Sequence, residues 1–197
     1  MENCAKRMVV FFMLAIAIGS GLAVGLIMYK KLKYPVCYFE WVLHYSAEYS
    51  LDPSLVLAII NSESGFMKNA KSVKGAMGLM QIMPRSAKAI ANELKYINFS
   101  EEDLYNPKLN IEFGCFYLSY LFDKFDDEDK VLFAYNAGEG TLANYLKSNG
   151  GSFDIKALDF PETVQYIKRV KSAKKYYTKV IKWQLVNENN FKELDKI

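Results

Sequence analysis

Residues 63–84 read ESGFMKNAKSVKGAMGLMQIMP, and this stretch interrupts a chain whose other segments show helical patterns. From Ala70 to Met83 the helical periodicity of the apolar residues fails, and two glycines lie among small and apolar neighbours. This composition indicates a compact loop or a short β-ribbon. Pro84 then suits the first position of a new helix, where its missing N–H is no loss. Glu63 stands directly before the irregular segment.

Helical patterns lie on both sides of this segment. Upstream, apolar residues recur at helical spacing over residues 38–49, and Asp52-Pro53 predicts the capped start of a second helix that carries Glu63 near its end. Downstream, Asn106-Pro107 predicts the start of a core helix, two shorter helices follow, and the last helix starts near Pro161. We therefore predict a mainly α-helical domain with one irregular insertion.

Composition limits the number of domains and the kinds of partner. The chain has 197 residues, of which 51% are hydrophobic, which suffices for one sizeable core but not for two comfortable domains. The net charge is only +3 and charges of both signs are interspersed, which argues against a nucleic-acid partner. Cys4, Cys37, Cys115 and the lone His44 match no metal-ligand spacing, so we expect no metal. Whether Cys37 pairs with Cys115 stays open, because sequence separation does not fix their distance.

The first part of the chain differs from the rest. No charged residue occurs from Met8 to Tyr29, and a helix of that length spans about 33 Å, enough to cross a bilayer. A cleaved signal peptide is the alternative, since Lys6 and Arg7 precede the apolar run and Ala23-Val24-Gly25 offers small residues for cleavage. Length favours the membrane anchor. The predicted domains are an anchor at 1–33, a catalytic domain at 34–186 and a polar tail at 187–197.

Glu63 is the residue on which the functional reading depends. It follows an apolar helix, and no other acid occurs until Glu93, so partial loss of solvent is expected to raise the pKa of Glu63. Taken alone, a glutamate at a helix end is an ordinary surface residue. A catalytic assignment therefore needs the residues around it.

Those residues form three separate motifs in a fixed order. The motifs are Glu63-Ser64-Gly65-Phe66 with Ala70, Ser72 and the run Gly75-Ala76-Met77-Gly78-Leu79-Met80-Gln81-Ile82-Met83-Pro84; Ala134-Tyr135-Asn136-Ala137-Gly138; and Pro161-Glu162-Thr163 with Tyr166. Through them the chain resembles the lytic transglycosylases, specifically the Slt-type branch of the goose-type lysozyme-like superfamily, over about residues 34–182. The order of three motifs makes this a specific signal.

The resemblance implies a lysozyme-like helical fold with a groove for peptidoglycan, the β-1,4-linked strand of N-acetylmuramic acid and N-acetylglucosamine. It implies that Glu63 is the catalytic acid and that no metal or organic cofactor is needed. Because the substrate is cell wall, we expect an extracytoplasmic domain held at the membrane by the first helix. No protein partner follows from the sequence. The resemblance assigns substrate binding to Ser72, Gln81, Met83, Tyr135, Asn136, Glu162 and Tyr166.

The resemblance also implies a reaction with a single carboxylate. Glu63 protonates the glycosidic oxygen and then accepts the proton of the sugar's own C6 hydroxyl, giving a 1,6-anhydromuramyl end. Asp52 is a poor second carboxylate, because the intervening helix puts it about 16 Å from Glu63. Two alternatives remain: a hydrolytic muramidase of related fold, and a glycan-binding component of a wall-spanning assembly that does not cut.

Overall fold

The computed structural model of the chain describes residues 21–22 and 24–194, with side chains as far as Gln184. The described residues fall into two compact units divided after Pro35. In the first unit, residues 24–33 are helical and expose apolar side chains. The Lys33 ammonium lies over the rings of Tyr29 and Tyr34, 5.7 and 5.4 Å from their centroids.

The predicted anchor, Met8–Tyr29, lies mostly outside the described residues. Within the part of the chain that the structure describes, no helix is both long enough and apolar enough to cross a membrane. The anchor therefore stays a prediction.

The second unit is mainly helical, as predicted. Its α-helices and single 3₁₀ helix, within the described residues, are α1 (Phe39–Glu48), α2 (Pro53–Glu63), α3 (Pro84–Glu93), the 3₁₀ helix (Glu101–Tyr105), α4 (Pro107–Phe125), α5 (Glu128–Ala137), α6 (Glu139–Ser148) and α7 (Pro161–Leu194).

Local sequence chemistry accounts for where these helices begin. Proline occupies the first position of α2, α3, α4 and α7, where no backbone donor is needed. The Asp52 carboxylate accepts from the N–H of Ser54 at 2.8 Å, and the Asn106 side chain accepts from the N–H of Lys108 at 3.0 Å. These caps satisfy donors that the helix itself leaves unpaired. The helix starts predicted at Asp52-Pro53, Pro84, Asn106-Pro107 and Pro161 are confirmed.

The core centres on α2, whose residues from Ser54 to Ile60 are all essentially inaccessible to solvent. Helix α7 packs along α2 and contributes Val170 and Tyr177 to the interior. Helix α4, the predicted core helix, buries Ile111, Cys115 and Leu118. Helix α7 continues to Leu194, past Val186, where the sequence predicted the catalytic domain to end.

The irregular segment between α2 and α3 is a compact loop. Met77 forms isolated antiparallel bridges with Lys71 and with Ile82, and within the described residues these bridges are not extended into a β-strand. Met77, Leu79 and Met80 are buried, as expected of core residues. Of the two predicted alternatives, the loop is correct and the ribbon is reduced to single bridges.

Candidate active site

Glu63 is the last residue of α2, and its surroundings fix the end of that helix against the loop. The Ser64 hydroxyl is buried and donates to the carbonyl of Leu79 at 2.7 Å and to that of Ile60 at 3.2 Å. Gly65 and Phe66 then have positive φ values of 58° and 67°, so the chain turns sharply away from the helix axis. The Glu63 side chain is therefore left at the edge of a cavity between α2 and the loop.

Asn110, on α4, holds the other side of the loop. Its fully buried side chain accepts from the N–H of Met80 at 2.7 Å and donates to the carbonyls of Met77 and Leu104 at 3.0 and 2.9 Å. Gly78 has a φ of 78°, and a Cβ there would collide with the Asn110 side chain and the Leu104 carbonyl. Glycine at this position is therefore required by conformation and by space.

A cavity of about 780 Å³ opens in front of Glu63. It collects residues from the loop, from the junction of α5 and α6, and from the start of α7. Seven of the eight residues that the sequence assigned to the site line it: Glu63, Ser72, Gln81, Met83, Tyr135, Asn136 and Glu162. The three motifs, far apart in sequence, meet at one place.

Two of the cavity residues also build its wall. The Ser72 hydroxyl accepts from the N–H of Ala76 at 2.9 Å, which closes the tip of the loop. Gln81 has a φ of 51°, and its amide nitrogen donates to the carbonyls of Gly78 and Ala70 at 2.9 and 3.2 Å. These bonds fix the orientation of both side chains before any ligand arrives.

Tyr135 and Asn136 are positioned by opposite walls of the cavity. The Tyr135 hydroxyl donates to the carbonyl of Met80 at 2.9 Å, joining α5 to the loop. The Asn136 oxygen accepts from the Thr163 hydroxyl at 2.9 Å, joining α5 to the start of α7. With its oxygen engaged in this way, the amide of Asn136 is held in one orientation, which leaves the two N–H donors of its nitrogen available.

Tyr166 differs from the other seven residues because it does not line the cavity. Only 1% of its surface is exposed, and within the described residues its hydroxyl makes no hydrogen bond of standard geometry. The hydroxyl nevertheless lies close enough to the Glu63 carboxylate to favour the charged form of that group. Tyr166 is therefore buried behind Glu63 and does not line the cavity, whereas the sequence had assigned it to substrate binding.

The electrostatic environment raises the pKa of Glu63 to about 7. Burial is the main cause, because it removes water that would stabilise the carboxylate. The Tyr166 hydroxyl and the positive charge of Arg169 oppose this effect. Near neutral pH the Glu63 side chain therefore exists in both protonation states. A carboxyl group that first donates a proton and then accepts one needs both states.

Other carboxylates bear on whether the site has one acid or two. Asp52 caps the far end of α2 and pairs with Lys174 at 3.3 Å, and it does not line the cavity. Asp159 and Glu162 do line it, and the sequence had singled out only Glu162.

The histidine and the described cysteines lie apart from this chemistry. His44 lies outside the cavity and faces Glu48 at 3.6 Å. Cys37 is exposed and Cys115 is buried, and both are free thiols.

Sequence reasoning missed several lining residues, notably Lys74, Thr141, Asp159 and Thr163. For Thr163 a signal was available, because it follows Glu162 within the third motif. For Lys74, Thr141 and Asp159 no sequence pattern marks the approach to Glu63, since folding alone brings them there.

Comparison with protein families places these observations in context. The model of the family described as "Transglycosylase SLT domain" matches residues 40–157. The soluble lytic murein transglycosylase of Escherichia coli (strain K12) is 31% identical over 152 residues, which cover 74% of this chain and 23% of that protein. The membrane-bound lytic murein transglycosylase C of Histophilus somni (strain 2336) is 32% identical over 163 residues, covering 75% and 45%. The chain thus spans from about a quarter to under a half of the length of these relatives.

Solved structures show the same fold. The lytic transglycosylase Slt of Pseudomonas aeruginosa, an inactive mutant, superposes with a TM-score of 0.72 at 29% identity, covering 78% of this chain and 26% of that one. A 70-kDa soluble lytic transglycosylase in complex with bulgecin A gives a TM-score of 0.73 at 29% identity, covering 83% and 28%.

Proposed function

The chain belongs to the transglycosylase SLT family, and from this premise we propose that it cleaves peptidoglycan strands without hydrolysis, with Glu63 as the only catalytic acid and base. The bond cut is the β-1,4 link between N-acetylmuramic acid and N-acetylglucosamine. The observation that carries the proposal is the carboxyl group of Glu63, with its pKa near 7, in a cavity formed by the motifs of the family.

In the first step, protonated Glu63 donates its proton to the glycosidic oxygen as the C1–O bond breaks. The leaving sugar departs with that proton, and positive charge develops at C1 of the muramyl sugar. The N-acetyl group at C2 of the same sugar is placed to stabilise this charge. In ordinary glycosidases a second carboxylate stabilises the charge, and here the substrate does so itself.

In the second step, the carboxylate of Glu63 accepts the proton of the C6 hydroxyl while the C6 oxygen bonds to C1. The product carries a 1,6-anhydromuramyl end, and Glu63 is again protonated. The nucleophile belongs to the substrate, so its effective concentration is high once the groove holds the ring correctly. Neither step needs a metal or an organic cofactor.

The remaining cavity residues hold the sugar. Asn136, oriented by Thr163, offers N–H donors to the substrate, and Ser72 and Gln81 offer polar groups from the loop. Met83, 41% exposed at the start of α3, provides an apolar surface for a sugar face. Glu162, at the start of α7, also lines the cavity.

The location of the domain is part of the proposal. The wall polymer lies outside the cytoplasm, so the domain beginning near residue 34 acts there, held at the membrane by the apolar segment at Met8–Tyr29. A membrane-bound relative supports this arrangement only by its name. The polar segment 187–197 has no proposed role.

Glu63→Gln tests the catalytic assignment. The amide keeps the size of the side chain but cannot donate an acidic proton, so release of soluble fragments from purified peptidoglycan should fall at least about 100-fold. Co-sedimentation with the same insoluble peptidoglycan should be unchanged. Glu102→Gln, in the exposed 3₁₀ helix, is the matched control and should cleave like the wild type. Undiminished cleavage by Glu63→Gln would remove Glu63 from the mechanism.

A further inference from the structure

Helix α7 carries a row of lysines on its solvent face, which we call the lysine stripe. The stripe consists of Lys168, Lys175, Lys179 and Lys182, and all four are exposed. Their separations of seven, four and three residues place them on one face of the helix, over a length of about 21 Å. No acidic residue occurs from residue 163 to residue 184. The reaction proposed above uses none of these lysines.

Two other lysines of α7 differ from the stripe because they are engaged in the fold. Lys171 pairs with Asp129 at 2.6 Å. Lys174 pairs with Glu128 at 2.6 Å and with Asp52 at 3.3 Å. Among the described side chains, the stripe lysines form no ion pair. Their charge is therefore not neutralised by any acidic side chain that the structure describes.

An exposed indole ring lies at the end of the stripe. Trp183 directly follows Lys182, and 68% of its surface is exposed. A ring that stays largely in water contributes little to the packing of the domain. Tryptophan is enriched where the apolar part of a bilayer meets water, and lysines are attracted to anionic headgroups. The stripe and Trp183 are thus complementary to the surface of an anionic membrane.

A short connection joins the proposed anchor to the unit that carries the stripe. The apolar segment ends at Tyr29, and the second compact unit begins at Val36. The six residues between them span at most about 20 Å when they are extended. In an anchored chain the second unit therefore stays at a high effective concentration beside the bilayer, where even a weak attraction is enough for contact.

We propose that the lysine stripe and Trp183 bind the headgroup region of a membrane that contains anionic phospholipids, so that α7 lies along the bilayer surface. This inference rests on the membrane location in the proposed function. On the other side of α7, Thr163 and Tyr166 are buried against the site. Binding through the stripe therefore leaves the face of α7 that builds the site free of lipid.

A phosphate-bearing polymer of the cell wall is the competing partner. Such a polymer would satisfy the charge of the lysines as well as lipid headgroups do. It would leave the Trp183 ring in water, however, and it gains nothing from the short connection to the proposed anchor. Contact between lipid and Trp183 therefore separates the two partners.

The experiment measures that contact by fluorescence. Trp41→Phe leaves Trp183 as the only tryptophan, and the full chain with this change is reconstituted in vesicles with brominated acyl chains, which quench tryptophan on contact. In phosphatidylcholine vesicles with about one third phosphatidylglycerol, emission should fall at least about twofold at low salt and recover at high salt. In vesicles of phosphatidylcholine alone, quenching should be weak.

Variants of the stripe test whether its charge is responsible. Each lysine near an anionic surface strengthens binding by about fivefold, so replacing all four with glutamine should reduce quenching to the level in neutral vesicles. Replacing all four with arginine keeps the charge and should keep the quenching. The stripe variant is Lys168→Gln, Lys175→Gln, Lys179→Gln and Lys182→Gln combined.

The matched control removes the same charge elsewhere on the exposed surface and should keep the wild-type quenching. It combines Lys68→Gln, Lys88→Gln, Lys147→Gln and Lys156→Gln. All of these variants should cleave soluble glycan strands like the wild type, which shows that they are folded.

Two results would overturn the inference. The first is weak quenching in anionic vesicles, or quenching that the stripe variant retains. The second is salt-sensitive co-sedimentation with cell wall that the stripe variant loses, without quenching by lipid, which would assign the stripe to a wall polymer. A chain that does not float with neutral vesicles would contradict the anchor on which the inference rests. Quenching as expected without any cleavage would support the membrane contact and contradict the proposed reaction.

Discussion

At the scale of single residues, the site depends on opposing effects on one carboxyl group. Burial raises the pKa of Glu63, while the Tyr166 hydroxyl and the Arg169 charge hold the rise to about 7. In the proposed reaction, an unopposed rise would leave Glu63 a poor base in the second step, and no rise would leave it a poor acid in the first. The balance suits a group that must serve in both.

The pH profile tests this balance. Because the first step of the proposed reaction needs protonated Glu63, kcat/KM should decline as the pH rises through about 7. Tyr166→Phe removes a hydroxyl that favours the charged form, so it should raise the pKa of Glu63 and move the alkaline limb to higher pH. The shift is expected to be on the order of half a unit to one unit. It is measured from initial rates across the pH range.

Tyr145→Phe, at a tyrosine that does not line the cavity, is the control and should leave the limb in place. A limb that moves to lower pH in Tyr166→Phe would show that the hydroxyl favours the neutral form of Glu63. A limb that stays in place would show that the hydroxyl does not influence the acid.

Some of this residue-level picture follows from sequence and some does not. A raised pKa at Glu63 was predictable, because an apolar helix precedes it and no acid follows for thirty residues. The place of Tyr166 behind Glu63 was not, because it depends on how α7 packs along α2. The hydrogen bond by which Thr163 orients Asn136 could not be predicted either, because it forms only where α5 and α7 come together.

At the scale of elements, one buried amide holds the loop that contributes Ser72, Gln81 and Met83 to the site. Helix starts could be predicted because proline and capping side chains act locally, as at Asp52-Pro53. From the sequence, the loop between α2 and α3 could be predicted only as an interruption of the helical pattern. Its shape is set by Asn110, thirty residues downstream of Met80, and no local pattern identifies such a partner. The 3₁₀ helix at Glu101–Tyr105 was also missed, although Ser100 and Asp103 form a capping box.

Asn110→Ala tests the role of this amide. It leaves the N–H of Met80 and the carbonyl of Leu104 buried without their partner, which should lower the free energy of unfolding by about 2–4 kcal/mol. Because Tyr135 also bonds to Met80, cleavage should fall as well. Urea unfolding measures the first effect. Asn92→Ala, at an exposed position on α3, is the control, and an Asn110→Ala variant as stable as that control would contradict the account.

At the scale of the whole molecule, the match to known relatives covers about three quarters of this chain. It spans about a quarter of the Escherichia coli relative, whose name calls it soluble, and under half of the Histophilus somni relative, whose name calls it membrane-bound. The second unit, from Val36, contains all eight residues assigned to the site. The proposed membrane anchor would restrict where the proposed cleavage occurs without changing its chemistry.

In the proposed reaction, the substrate's own hydroxyl, and not water, attacks the muramyl C1. The most direct measurement is mass spectrometry of the fragments released by the full chain in water enriched in oxygen-18. We expect anhydromuramyl ends, lighter than hydrolysis products by one water, with no heavy oxygen incorporated. Reducing ends that carry oxygen-18 would contradict it, and would mean that a group in the cavity, Glu162 or Asp159, directs water to the sugar.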